Sequence, residues 1–305
     1  MKVKKCSLPE FRKQFSTEES CYDFLIQQKW GDGYACKKCN HEGYKKGEFA
    51  RDRRCKKCGY NESPTSNTLF HSIKLSLPLA FEMAFRICVS KKGISSIGLC
   101  REYGVNLKTA YNFRRKIQAS MKSSEAHPLK GLVHVDEFVY GGVDVGCQGR
   151  SSESDKLKIC IAVEIIPAKD NKSETMGRAY ALPIENYSSE ELKKLFTTHI
   201  DKAASIVTDK WSGYSPLKKD YKIAQKESNS GANFLSIHNL ILNFKTWIRG
   251  THHHISSAQL KHYLNEYCFR FNRRTWMNKM PIFVLKNVVK NAPKPVILTK
   301  GGFYG

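Results

Sequence analysis

The sequence predicts an α/β domain with a mixed five-stranded sheet and flanking helices, preceded by a short cysteine-bearing segment and a helical module. Three observations predict it. Two Cys-x-x-Cys pairs, Cys36/Cys39 and Cys55/Cys58, stand fifteen residues apart. Between residues 63 and 126 the apolar positions recur at helical spacing, around a glycine-containing turn. From residue 127 onward the pattern becomes strand, strand, strand, helix, strand.

Composition bounds the rest. A chain of 305 residues with 41% hydrophobic residues suffices for two or three compact units. The expected divisions are 1–62, 63–126, 127–285 and a C-terminal tail, 286–305. No run approaches the roughly 18 apolar residues of a membrane span. The opening "MKVKKCSLPEF" has no apolar stretch behind its lysines, so a cytoplasmic, nucleoid-associated protein with no membrane partner is expected. Lys and Arg number 51 against 28 Asp and Glu, a net charge of +23. Such a field favours a polyanionic partner, DNA or RNA, over a merely basic or ribosome-associated protein.

The N-terminal segment opens with "STEESCYDFLIQQKW", where Ser16 and Glu19 read as a capping box and Cys21, Phe24 and Leu25 fall at helical spacing. Next, each Cys-x-x-Cys pair puts two thiolates on one tight knuckle, and two facing knuckles complete a tetrahedral four-sulfur site. Cys36, Cys39, Cys55 and Cys58 are therefore expected to hold a structural Zn2+, with Gly59 turning the second knuckle. Spacing favours metal over a redox dithiol. The other seven cysteines (Cys6, Cys21, Cys88, Cys100, Cys147, Cys160 and Cys268) are scattered, mostly among apolar residues, and behave as small hydrophobes.

In the helical module Pro78 marks a helix start and "LAFEMAFRICVSKK" continues it. In "GISSIGLCREYGVNLKTAYNFRRKIQASM" one helix runs to Gly104 and a second carries Lys108, Thr109, Tyr111, Arg114, Arg115 and Lys116. Helix, turn and basic helix make a helix-turn-helix-like unit, and Lys108, Arg114 and Arg115 are candidate DNA contacts. A purely structural helix pair is the alternative. "SSEAHPLKG" ends the module.

"LVHVDEFVYGG" is a strand with an acidic pair inside it, turned by Gly141-Gly142. Alternation points Asp136 and Glu137 to opposite faces, without saying which face holds a site. "KLKICIAVEII" and "GRAYALPIEN" follow as strands of an antiparallel meander. "SSEELKKLFTTHI" is a helix with Ser188 and Glu191 as a capping box; His199 on its apolar stripe reads as a buried helix residue, not a ligand. "ASIVTDKWSGY" is an apolar strand ending at Asp209, and a strand tip is where sheet sites are built. This order, with Asp in the first strand and Asp after the fourth, resembles the RNase H-like arrangement. Two carboxylates so placed can share divalent metals for phosphoryl chemistry.

"SIHNLILNFKTWIRGTHHHIS" is an amphipathic helix. Seven residues nearly complete two turns, so His238, Leu242, Lys245 and Arg249 share one face beside an apolar one. The run His252-His253-His254 reads as phosphate contact or packing. "SSAQLKHYLNEYCFRFNRR" is a helix opened by Ser256 and Gln259. Its stripe is Leu260, Tyr263, Leu264, Tyr267 and Phe271. Glu266 lies off that stripe and could be a third acid, but an ion pair with nearby arginines is the preferred reading. Arg270, Arg273 and Arg274 suit a DNA backbone.

The ribbon, "GISSIGLCREYGVNLKTAYNFRRKI", "HVDEFVYGG", "VTDKWSGY", "FKTWIRGTHHHIS" and "YLNEYCFRFNRR" together resemble the ISXO-like insertion-sequence transposases, over nearly the whole chain. Those are DDE-type, RNase H-like enzymes with an N-terminal zinc ribbon. The resemblance implies Asp136 and Asp209 as the first two catalytic acids, His238 at the third position, and Lys245 as the following lysine. An imidazole at the third position departs from the usual Glu or Asn. The resemblance also implies Mg2+ or Mn2+ as catalytic ions, double-stranded DNA as partner (element ends and target), and a homo-oligomer on DNA; Arg249, like Arg270, Arg273 and Arg274, is a candidate DNA contact. A transposase-derived binder without catalysis, or a zinc-ribbon transcription factor, is the alternative.

Overall fold

The computed structural model describes residues 7–141, 156–167, 174–252 and 255–293. Cys6, Gly142, Cys147, His253, His254 and the tail beyond residue 293 lie outside them. The chain forms two compact units: one runs to Met121 and takes up the chain again from Thr275, and the other is Lys122–Arg274.

In the first unit α1 (Leu8–Gln14) and α2 (Glu18–Trp30) precede a three-stranded antiparallel sheet, β1 (Tyr44–Lys46), β2 (Arg53–Cys55) and β3 (Asn61–Glu62). The cap of α2 falls one residue later than expected. Thr17 Oγ1 accepts from Ser20 N at 3.2 Å, and Ser20 Oγ returns to Thr17 N at 3.3 Å. Ser16 instead donates to Lys13 O at the end of α1, a helix too short to stand out in the sequence. The C-terminal end of α2 rests on the ribbon, where Trp30 and Tyr34 pack against Cys36 and Cys55. A buried ion pair, Lys29 Nζ to Glu62 Oε1 at 2.8 Å, ties helix to sheet; Lys29 also donates to the Ser63 and Ser66 carbonyls. Those extra bonds offset the desolvation that makes an isolated buried pair costly.

Helices α3 (Leu77–Val89), α4 (Ser96–Tyr103) and α5 (Leu107–Ser120) follow. Gly104 closes α4 in the left-handed region, φ 63°, where a side chain is disfavoured, and Asn106 caps α5 through Lys108 N at 2.9 Å. Helix α9 (Met280–Lys290) packs on α3 and α5, with Leu69 N donating to Val288 O and Asn287 Nδ2 to Ser120 O. The division expected at 285/286 thus falls inside a helix, and that helix belongs with the N-terminal unit.

The second unit is a five-stranded mixed sheet with order β6-β5-β4-β7-β8, from β4 (Leu132–Tyr140), β5 (Leu157–Pro167), β6 (Glu174–Ile184), β7 (Ser205–Thr208) and β8 (Lys222–Gln225). The first three form the expected antiparallel meander; β7 runs parallel to β4, and β8 parallel to β7. Even-numbered β4 residues face α7 (Leu235–Thr251) and α8 (Ser257–Phe271), where Phe138 meets Phe244 in a core shared with Ile237, Leu240 and Tyr263. Odd-numbered ones face α6 (Ser189–His199), where Val133 and Val135 meet Leu192, Leu195 and Phe196. Each such buried side chain contributes roughly 1.5–3 kcal/mol over exposure, so helices on both faces secure the sheet.

Local details refine the sequence reading. Ser188 caps α6 through Glu191 N at 3.4 Å, but the Glu191 carboxylate turns to Glu185 N, so the reciprocal half of that box is absent. Ser256 opens α8 without a side-chain cap bond. His252 ends α7 and is buried between Trp247 and Tyr263, which is packing. His199 is buried and stacks on Tyr180, ring centroids 4.2 Å apart. Among the described residues no helix is long and apolar enough to cross a membrane.

Candidate functional site

The parallel pairing of β4 with β7 builds the site. Its last partners are His134 and Val207, and β7 ends at Thr208. Asp136 and Asp209 each lie two residues beyond that last pair, so two residues far apart in sequence arrive side by side. Asp209 is held by its own turn: its Oδ1 accepts from Trp211 N at 3.0 Å, and its carbonyl accepts from Thr208 Oγ1 and Gln225 Nε2. Asp136 Oδ1 accepts from Glu137 N at 2.8 Å.

Strand alternation places Glu137 on the opposite face from Asp136. Nevertheless one carboxylate oxygen from each of Asp136, Glu137 and Asp209 lies within 4.8 Å of the others. The pairing with β7 has already ended here, which leaves an open side of β4 that carboxylates from both faces can reach. No pattern in the sequence signals this; only the acidic pair itself, Asp136-Glu137, marked the place. Beneath the cluster Cys160 and Tyr214 are fully buried. Burial above all, then Cys160 and Glu137, pushes the Tyr214 hydroxyl well above its usual range, so it stays protonated.

His238 comes to this cluster from α7. Its Nε2 lies 3.1 Å from Asp136 Oδ2. Gly231, at φ 91°, brings the preceding loop against the other side of the ring: a Cβ there would sit 2.7 Å from His238 Nδ1. Lys245, two turns along, places its Nζ 5.5 Å from the Phe138 ring centroid. Burial and the neighbouring Arg249 lower its pKa, while Asp136 pulls it back up. Arg249 is exposed at the far end of the same face.

Glu266 does not join the cluster. It is buried in α8 at 1% exposure, with Arg270 Nη1 3.9 Å from its Oε1. Two of the arginines expected on DNA are buried: Arg114 at 1% exposure and Arg270 at 8%. Arg114 falls on the α5 stripe with Ala110, Phe113 and Ile117, so its charge points into the helical core and cannot reach a duplex. Arg273 lies over Phe269 and donates to Phe269 O, and Arg274 binds the Met176, Gly177 and Phe271 carbonyls. Lys108 is exposed, whereas Arg115 is half-buried over Tyr111 and donates to Gln118.

The four ribbon cysteines have the other ligand geometry. Their sulfurs lie within 4.8 Å of one another, with Cys36–Cys58 and Cys39–Cys55 each at 3.6 Å. Tetrahedral zinc with Zn–S bonds of about 2.3 Å needs sulfur separations of roughly 3.8 Å. Lys38 N donates to Cys36 Sγ, and Gly59 turns at φ 70° as the second knuckle requires. The donors fit zinc. The all-oxygen trio in the second unit fits a hard divalent cation such as Mg2+ or Mn2+.

A mixed sheet with flanking helices, carrying acids on its first strand and just past its fourth, fits an α/β domain of the RNase H-like class. Residues 128–272, just under half of the chain, match the family model described as an ISXO2-like transposase domain. The chain is also similar, at 22% identity over 219 residues, to a protein of Halobacterium salinarum described as an uncharacterized protein in transposable element ISH50. That alignment covers 68% of this chain and 72% of the relative. Together these findings support an insertion-sequence transposase.

Proposed function

We propose that this protein binds the terminal inverted repeats of an insertion sequence and catalyses DDE-type strand cleavage and strand transfer. The observation that supports this most directly is the carboxylate trio: Asp136 and Glu137 on β4 and Asp209 just past β7, gathered within 4.8 Å. These residues would hold the divalent ions. Such ions, when bound, polarise the phosphoryl oxygen and lower the pKa of an attacking water.

The side chains around them have distinct roles. His238 stands at the third position and orients Asp136 through Nε2. Glu137 supplies the third negative charge that an imidazole lacks. Lys245, as a point charge, and Arg249, through its planar fork of donors, hold the phosphates flanking the scissile bond from the same face of α7. Water displaces the 3′-oxygen at one phosphodiester; the freed 3′-hydroxyl then displaces another in target DNA. Both are in-line displacements, and no covalent bond to the protein forms. The ribbon, held by zinc on its four cysteines, and the α4–α5 pair, through Lys108 and Arg115, contact the element ends. Synapsis of two ends calls for at least a dimer.

Cleavage of an end-containing duplex with Mg2+ tests the reading. Asp136→Ala and Asp209→Ala are expected to abolish nicking while keeping duplex affinity. Cleavage that survives in both would overturn it.

A further inference from the structure

The ribbon carries two ordered stacks that metal binding does not require. The Arg51 guanidinium lies over Tyr22 at 4.3 Å and over Phe49 at 4.9 Å. Arg53 lies over Trp30 at 4.6 Å and over Tyr44 at 4.2 Å. Both stacks begin on α2, and both end on an exposed ring: Phe49 is 53% exposed and Tyr44 43%. Tyr34 braces Tyr44 edge-on at 5.1 Å.

A single exposed apolar residue is ordinary and decides nothing. Here the two exposed rings are held in place by cations behind them, so little freedom is left to lose on binding. Their setting is strongly basic: residues 36–58 hold nine Lys and Arg against three Asp and Glu. Lys45 and Lys46, both exposed, lie between the two rings in sequence. Aromatic platforms in a basic field suit unpaired nucleotides, whose bases stack while their phosphates meet the lysines. A duplex offers base edges and backbone, and its base faces are already covered by their neighbours.

We propose that this ribbon surface binds unpaired DNA, with bases stacked on Tyr44 and Phe49. The choice of DNA rests on the transposase reading, in which cleavage at an element end frees single strands.

The test uses the full-length, zinc-loaded chain without Mg2+, and measures fluorescence anisotropy with oligothymidylate of about 16 nucleotides, the matching RNA, and an end-containing duplex. Tyr44→Ala and Phe49→Ala are each expected to weaken single-stranded DNA binding about tenfold. The salt slope should stay unchanged, because no phosphate contact is removed. Phe49→Trp should restore affinity, and duplex affinity should stay near that of the parent chain. Unchanged single-strand affinity in both alanine variants, equal loss on duplex, or tighter binding to RNA than to DNA would overturn the proposal. A chain that binds single strands as described but cuts no DNA with Mg2+ would sink the transposase reading and leave the stacking surface standing.

Discussion

His238 Nε2 lies 3.1 Å from Asp136 Oδ2, and Gly231 closes against the opposite edge of the same imidazole. The ring is therefore gripped between a carboxylate and a backbone that tolerates no side chain. Replacing Gly231 with Ala would force the loop or the ring to move, at a stability cost of roughly 1–2 kcal/mol for the positive φ. Cleavage by Gly231→Ala should fall about 10- to 100-fold, the range for lost support of a metal ligand, and demand more Mg2+. His238→Ala should behave alike. A Mg2+ titration of cleavage rate checks both; an unshifted titration in either variant would remove His238 from the site.

Glu137→Gln separates the acids. If Glu137 supplies the third charge, the amide variant keeps its shape and loses cleavage by at least about tenfold. Glu266→Gln should instead destabilise the fold, because Glu266 is buried beside Arg270, and its effect should appear in the melting curve more than in the rate per folded molecule.

Removing zinc should act on one unit. With Cys36→Ser, or after chelation, the β1–β3 sheet loses the link that closes its four-sulfur cluster. Hydrogen exchange is expected to speed up across residues 36–62 while β4 and β5 remain protected. Equal loss of protection in both would mean that the units do not fold as separate bodies.

His199 sets a pH dependence for the second unit. Burial lowers its pKa from 6.5 to about 4, so the folded state keeps it neutral where the unfolded chain would take up a proton. Its contribution is full above pH 6.5 and is lost progressively as pH falls toward 4, about 3 kcal/mol in all. Chemical denaturation between pH 7 and pH 4 measures it. His199→Phe, which keeps the stack on Tyr180, should flatten that part of the profile.

Arg114 and Lys108 give opposite expectations on one helix. Lys108→Ala should leave stability alone and reduce the salt slope of duplex binding by about one. Arg114→Ala should cost about 2–3 kcal/mol of stability, since it truncates a side chain buried at 1% exposure, with no change in slope.

Much of this is legible in the sequence, because it depends on local pattern. Cys-x-x-Cys spacing marks a metal knuckle, alternation marks strands, and the heptad interval aligned His238 with Lys245 on one face of α7. Caps proved less legible: the true cap of α2 is Thr17, because α1 claims Ser16. Arginine roles are not legible locally, since charge in a sequence does not reveal which side of a helix faces the core, and Arg114 and Arg270 are buried.

By itself, then, the sequence determined the four-cysteine site and the strand–helix order of the second unit, while its likeness to a transposase family put forward Asp136 and Asp209. Only the tertiary structure decided that Glu137 joins them, that Arg114 and Arg270 are buried, and that α9 returns to the N-terminal unit. Periodicity reports which face of one element a residue occupies. Where a neighbouring strand ends, and so which faces can meet around its tip, is set by long-range pairing that no local pattern records.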